Sequence, residues 1–221
     1  MILNVKETLL LMVDVQNDFL PSSNGALAVQ GGDEVIAPLN VLSAAFSAKN
    51  GWVAVTQDWH PPEHVSFASS YDGKKPGEAI NAETVEGQEL WPDHCVQGKW
   101  GAAFHEKLDL NSVVAVFRKG FRKNLDSYSA FFENDWKTST GLEGWIRSLG
   151  INKVVIGGLA LDYCVFYSAI DCIGLGFTTI VASDATRGVG IPAGSVDKAV
   201  NIMKESGVIF ATSAQIIDWL K

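Results

Sequence analysis

Apolar residues in this chain come in two arrangements, and their alternation indicates the fold class. Residues 8–15 (TLLLMVDV) form an apolar run broken only by Asp14 near its far end, the pattern of a central parallel strand buried on both faces. Similar runs follow at 52–57 (WVAVTQ), 113–117 (VVAVF), 153–157 (KVVIG), 178–182 (TTIVA) and 208–211 (VIFA). Between them the apolar positions take the helical period. Asp33 is placed to cap a helix carrying Val35, Ile36, Leu39, Leu42, Ala45 and Phe46, which Gly51 ends. A short helix with Leu142, Trp145, Ile146 and Leu149 stops at Gly150, and another over about 162–175 carries Val165, Phe166, Ala169, Ile170 and Ile173. Residues 194–205 and 214–220 complete the helices. Strands alternating with helices predict a three-layer α/β/α sandwich around a mostly parallel six-stranded sheet, in a single domain spanning 1–221. Residues 58–98 show no period, hold three of the four histidines, and are expected as a long loop of the kind that is commonly functional.

Charge and composition narrow the partners. A formal net charge of −8 and a pI near 4.9 argue against a nucleic-acid phosphate binder, and no basic stripe is present for an anionic membrane. No apolar run approaches the roughly 20 residues of a spanning helix. The charged N-terminus does not read as a signal peptide, so a cytoplasmic location is expected. Three cysteines, Cys95, Cys164 and Cys172, read as free thiols in that setting. A small-molecule substrate fits this balance, and a homo-oligomer is left open.

Reactive groups then collect at strand ends. Asp14 follows the first strand, Lys119 the third and Cys164 the fourth, and parallel strands align those ends at the edge where open α/β sheets bind ligands. As chemistry the set is a base, a cation and a nucleophile; a structural Asp14–Lys119 ion pair is the alternative. Cys164 sits at a helix start, whose free N–H groups and dipole are expected to draw it toward thiolate, unless it is only a small buried hydrophobe. The glycine turn at 157–158 leaves backbone N–H groups free to face a developing oxyanion, those of Cys164 and a residue just before it. Asp58-x-His60 puts two donors on one face of an extended segment, and His94 or His64 supplies a third, the donor set of a catalytic rather than structural zinc site. Phe19, Trp59, Trp91 and Tyr128 lie in loops at this edge and offer walls for a flat ring, whereas His105, on a stretch read as helical, is expected to be structural.

The ordered motifs at 14–19 (DVQNDF), 58–60 (DWH), 91–96 (WPDHCV), 119–120 (KG) and 159–165 (LALDYCV) resemble the nicotinamidases, a branch of the isochorismatase-like cysteine hydrolases, over essentially the whole chain. The resemblance implies Asp14, Lys119 and Cys164 as the catalytic triad and a cis peptide between Leu159 and Ala160, with the Ala160 and Cys164 N–H groups as the oxyanion hole. It implies Asp58, His60 and His94 as ligands of one divalent metal, zinc first, with iron(II) or manganese(II) as alternatives. It also implies Phe19, Trp91 and Tyr128 as ring-pocket residues. His64 matches a position that ligates metal in only some members. The stretches 121–127 and 69–89 match no motif. The activity implied is deamidation of nicotinamide to nicotinate. Other readings are a related hydrolase of small amide, ureido or N-carbamoyl substrates, or a non-catalytic binding domain.

Overall fold

The computed structural model describes residues 1–221 and contains eight strands and five α-helices. In chain order the strands are β1 (Thr8–Val13), β2 (Trp52–Asp58), β3 (Ala79–Ile80), β4 (Gln88–Glu89), β5 (Ala115–Lys119), β6 (Lys153–Leu159), β7 (Thr178–Arg187) and β8 (Ile209–Ala211). The helices are α1 (Ile36–Ala48), α2 (Leu142–Ser148), α3 (Cys164–Gly174), α4 (Ser195–Glu205) and α5 (Ser213–Trp219). Six strands make one sheet in the order β5-β2-β1-β6-β7-β8, parallel throughout. From β1 the chain moves outward one way through β2 and β5, then returns beside β1 and moves the other way. Right-handed crossovers in opposite directions place their helices on opposite faces.

Side-chain alternation along the strands feeds both faces. Leu10, Met12, Val53, Val55 and Val155 join α1 and α5 in a core cluster of 27 buried residues. Leu9, Leu11, Val13, Ala54, Val154 and Ile156 join α2, α3 and α4 in one of 21. The order reverses between β1 and β6, which opens a crevice at their carboxyl ends. No helix is long and apolar enough to cross a membrane.

Several elements differ from the sequence expectation, each for a local reason. Asp14 is not strand: its φ of 48° turns the chain out of β1 and aims the carboxylate inward. Asp33 does not cap α1; its carboxylate accepts from the Ser22 N–H and hydroxyl, and a 3-10 turn (Gly32–Val35) leads into the helix. Helix α3 begins at Cys164, since the Asp162 carboxylate instead binds the N–H groups of Val189 and Gly190 at 2.8 and 2.9 Å. Strand β7 continues to Arg187 through an irregularity in its pairing with β6, where Asp184 accepts from Ser213 at the start of α5. His105 lies in a non-helical segment whose side chains compete for the backbone, its own Nδ1 accepting from the Lys107 N–H. Within 58–98 the hairpin β3–β4 appears, a two-residue ladder too short to produce a sequence period.

Gly158 is required by packing. Its φ is +121°, and a Cβ there would lie 2.1 Å from the Val13 carbonyl oxygen on β1. Gly158→Ala is therefore expected to cost on the order of 3 kcal/mol or more, from backbone strain and overpacking together. Urea unfolding checks this; a loss below about 1 kcal/mol would mean the β1–β6 seam is not closely fixed.

Candidate active site

The crevice between β1 and β6 holds a cluster of buried charge centred on one ammonium. Lys119, at the end of β5 and 1% exposed, places Nζ 2.9 Å from Asp14 Oδ2, 3.0 Å from the Ser127 carbonyl oxygen and 3.4 Å from Cys164 Sγ, and it also donates to Asp58 Oδ1. Asp14, Asp58 and Cys164 bring their reactive atoms within 4.8 Å of one another. The three strand-end residues thus converge, and the aspartate singled out as a metal ligand joins them through the same amine.

Asp58 faces two imidazoles with its other oxygen. Oδ2 lies 3.5 Å from His60 Nε2 and 3.9 Å from His94 Nε2. Each ring engages Nδ1 with a backbone carbonyl, Gly120 for His60 and Pro92 for His94, both at 2.8 Å, so each Nε2 is turned toward Asp58. Gly120 is needed here: its φ is +60°, and a Cβ would come 2.4 Å from the His60 ring. This donor set fits a divalent cation. Two buried carboxylates stand against one ammonium, and both imidazole nitrogens turn toward the same oxygen. Burial pushes His94 down to about 4, which keeps it neutral with a free lone pair. His64 stacks on His60 at 4.2 Å, bonds Ser66 through Nδ1 and leaves a buried Nε2 without a partner.

Proton affinities in the cluster differ from the sequence expectation. Burial pushes the Cys164 thiol well up, Lys119 opposes it, and the Asp14 and Asp58 charges reinforce it. Burial thus works against the thiolate that the start of α3 favours. Asp14 is raised as well, by burial against the pull of Lys119. Asp58, although burial opposes its ionisation, is held below the carboxylate range by Lys119 and His60. One carboxylate stays ionised facing the imidazoles, while Asp14 and Cys164 compete for a proton.

Phe19, Trp91 and Tyr128 line the same cavity as Ala160, Cys164, Asp58, His60 and His94. Trp59 does not; its ring packs under the Arg118 guanidinium at 3.9 Å. The Leu159–Ala160 peptide is cis, and the Ala160 and Cys164 N–H groups donate to no group within the chain. Cys95 and Cys172 are buried free thiols; burial pushes Cys172 up to about 12, and neither lines the cavity.

Residues not singled out from the sequence hold this arrangement. Thr56 on β2 donates to Asp14 Oδ1 at 2.6 Å and accepts from the Asp14 N–H. Gln16 clamps the Asp58 peptide with both ends of its amide, at 2.8 Å each. Asp18 accepts from the Cys95 N–H at 2.7 Å, fixing the segment that carries His94. Buried Asp126 brings a carboxylate oxygen within 4.8 Å of His60 and His64 nitrogens. The signal for Gln16 and Asp18 was their place in the 14–19 motif; Thr56 and Asp126 carried none.

An isochorismatase domain description matches residues 8–215. A nicotinamidase of Acinetobacter baylyi is 44% identical over 208 residues, covering 94% of each chain. The solved nicotinamidase/pyrazinamidase of Acinetobacter baumannii superposes with a TM-score of 0.90 at 41% identity, over 96% of this chain and 98% of that one. The pyrazinamidase of Pyrococcus horikoshii in complex with zinc gives 0.76 at 30% identity, over 93% and 99%.

Lys119→Met would strand two buried carboxylates, and a stability loss on the order of 3–5 kcal/mol is expected. Denaturant unfolding at neutral pH measures it; an unchanged midpoint would show that the ammonium does not compensate Asp14 and Asp58.

Proposed function

The chain belongs to the isochorismatase family, and on that premise we propose that it is a nicotinamidase, hydrolysing nicotinamide to nicotinate and ammonia through a thioester on Cys164. The observation that carries the reading is the Asp14–Lys119–Cys164 cluster joined to Asp58, His60 and His94 through one ammonium. A binding module needs no such nucleophile, base and metal-ligand set side by side.

The steps follow from the proton inventory. Asp14 takes the thiol proton as Sγ forms its bond to the carboxamide carbon, and Lys119 stays beside both groups so that negative charge is not left uncompensated. The N–H groups of Ala160 and Cys164 receive the oxyanion. Its collapse breaks the C–N bond, and Asp14 returns the proton to the departing ammonia. Water then attacks the thioester with Asp14 as base; the C–S bond breaks and the thiol is restored. Asp14 and Cys164 share this proton, so the pH–rate profile belongs to the pair.

Asp58, His60 and His94 would hold the divalent metal, for which we favour zinc on the donor set and the zinc-bound relative. A cation held there would supply Lewis-acid character to a bound pyridine carboxamide. Phe19, Trp91 and Tyr128 wall the ring. The unpaired buried thiols suit a reducing compartment, and we place the protein in the cytoplasm.

Cys164→Ala is expected to abolish ammonia release from nicotinamide while retaining metal by elemental analysis; substantial residual turnover would remove the cysteine from the chemistry. Asp14→Asn is expected to lower kcat by about 10²–10⁴-fold. Chelation should stop turnover of nicotinamide and metal readdition restore it. Chelator-resistant hydrolysis of a ureido or N-carbamoyl compound, faster than that of nicotinamide, would favour the other branches of the family.

A further inference from the structure

The cavity beside Cys164 and the Asp58–His60–His94 cluster encloses only ≈ 30 Å³. That is room for a water or two, whereas a six-membered aromatic ring fills a cavity of about 150 Å³. A pyridine carboxamide therefore enters only if a wall moves.

The walls are not equally free to do so. Phe19 is 7% exposed and packed in the core, Ala160 opens the turn after β6, and Cys164 is the first residue of α3. Trp91 and Tyr128 brace each other, Nε1 donating to the hydroxyl at 3.0 Å, and Tyr128 also stacks on Tyr167 at 5.3 Å. Tyr163 is different. It is half-buried, and a second cavity of ≈ 550 Å³ is lined by Tyr163 together with Glu89, Phe132, Trp136, Phe166 and Tyr167. Tyr128 and Tyr163 are the residues the two cavities share. The Tyr163 ring meets Trp91 edge-on at 5.0 Å and Tyr128 at 5.5 Å. Its hydroxyl is tied to loops: it donates to the Ile191 carbonyl at 2.6 Å and lies 3.5 Å from the Glu89 carboxylate on β4.

We propose that Tyr163 is the wall that yields: a small displacement admits one six-membered ring, and only a full swing into the groove behind it opens an outer subsite for the second ring of bicyclic azaarene carboxamides. This rests on the amidase reading above. The hydroxyl contacts to Ile191 and Glu89 hold the ring closed, and swinging it toward the groove joins the two spaces. The groove's lining is mixed, with Glu86, Glu133 and Lys198 among its residues, and a fused aromatic ring would lie on its aromatic side against Phe132, Phe166 and Tyr167, where stacking and edge contacts replace the hydration lost.

The test compares kcat/KM for nicotinamide and quinoline-3-carboxamide, by ammonia release, in the wild type, Tyr163→Phe and Tyr163→Ala. Wild-type enzyme is expected to favour nicotinamide. In Tyr163→Ala the bicyclic-to-monocyclic ratio should rise tenfold or more, the scale on which pocket size discriminates substrates, mainly through a lower KM for the bicyclic amide. Tyr163→Phe keeps the ring but loses the hydroxyl contacts and should raise the ratio less; it carries the test if the alanine variant does not fold. An unchanged ratio in the folded variants would overturn the proposal and move the opening to Leu27, Val29 and Val189 on the other walls. Wild-type protein inert toward nicotinamide would overturn the amidase reading alone. The Tyr163 wall is then judged by calorimetric binding of quinoline-3-carboxylate, which must tighten in Tyr163→Ala and whose failure to do so overturns it.

Discussion

One buried ammonium ties the site together. Lys119 reaches from the end of β5 to Asp14 beyond β1, Asp58 at the end of β2, Ser127 in the following loop and Cys164 at the start of α3. A charge this deeply enclosed is tolerated only when its partners are close and themselves well placed. That requirement fixes three strand ends and a helix start relative to one another. It also joins the surroundings of Cys164 to the proposed metal ligands, since Asp58 offers one oxygen to the amine and the other to the imidazoles.

The long irregular stretches are ordered by polar side chains rather than by a core of their own. Gln16 substitutes for a neighbouring strand at the Asp58 peptide, Asp18 holds the segment after His94, and Asp162 gathers the loop around Gly188 and Gly190. Each offers an acceptor or amide to backbone groups that would otherwise lack partners. In this way the proposed catalytic set is held by loops as well as by strand ends.

The electrostatics separate two carboxylates that a sequence cannot tell apart. Asp58 has the ammonium and the imidazoles around it and stays ionised; Asp14 has the ammonium and the Thr56 hydroxyl but no imidazole, and burial raises its proton affinity. One residue is thereby suited to hold a cation and the other to exchange a proton with Cys164, a division of labour set by surroundings. Along one wall of the same small space the Tyr163 ring meets Trp91 and Tyr128 edge-on.

The chain alone determined the six strands, their parallel alternation with helices, and the strand-end positions of Asp14, Lys119 and Cys164, because strand burial and helix amphipathicity are written as local periods. Its motifs also pointed to Asp58, His60 and His94 and to Phe19, Trp91 and Tyr128, which line one cavity with them. Folding decided what depends on distant neighbours. The Asp58–Lys119 link joins residues 61 positions apart, and Thr56 reaches Asp14 across 42. The proton affinity of Cys164 likewise runs against the local expectation, because a helix start lowers it while burial beside two carboxylates, delivered by different parts of the chain, raises it. Local pattern carries the elements and the reagents they bear. Charge, burial and the space left between walls are sums over the whole fold, so only the tertiary structure decides them.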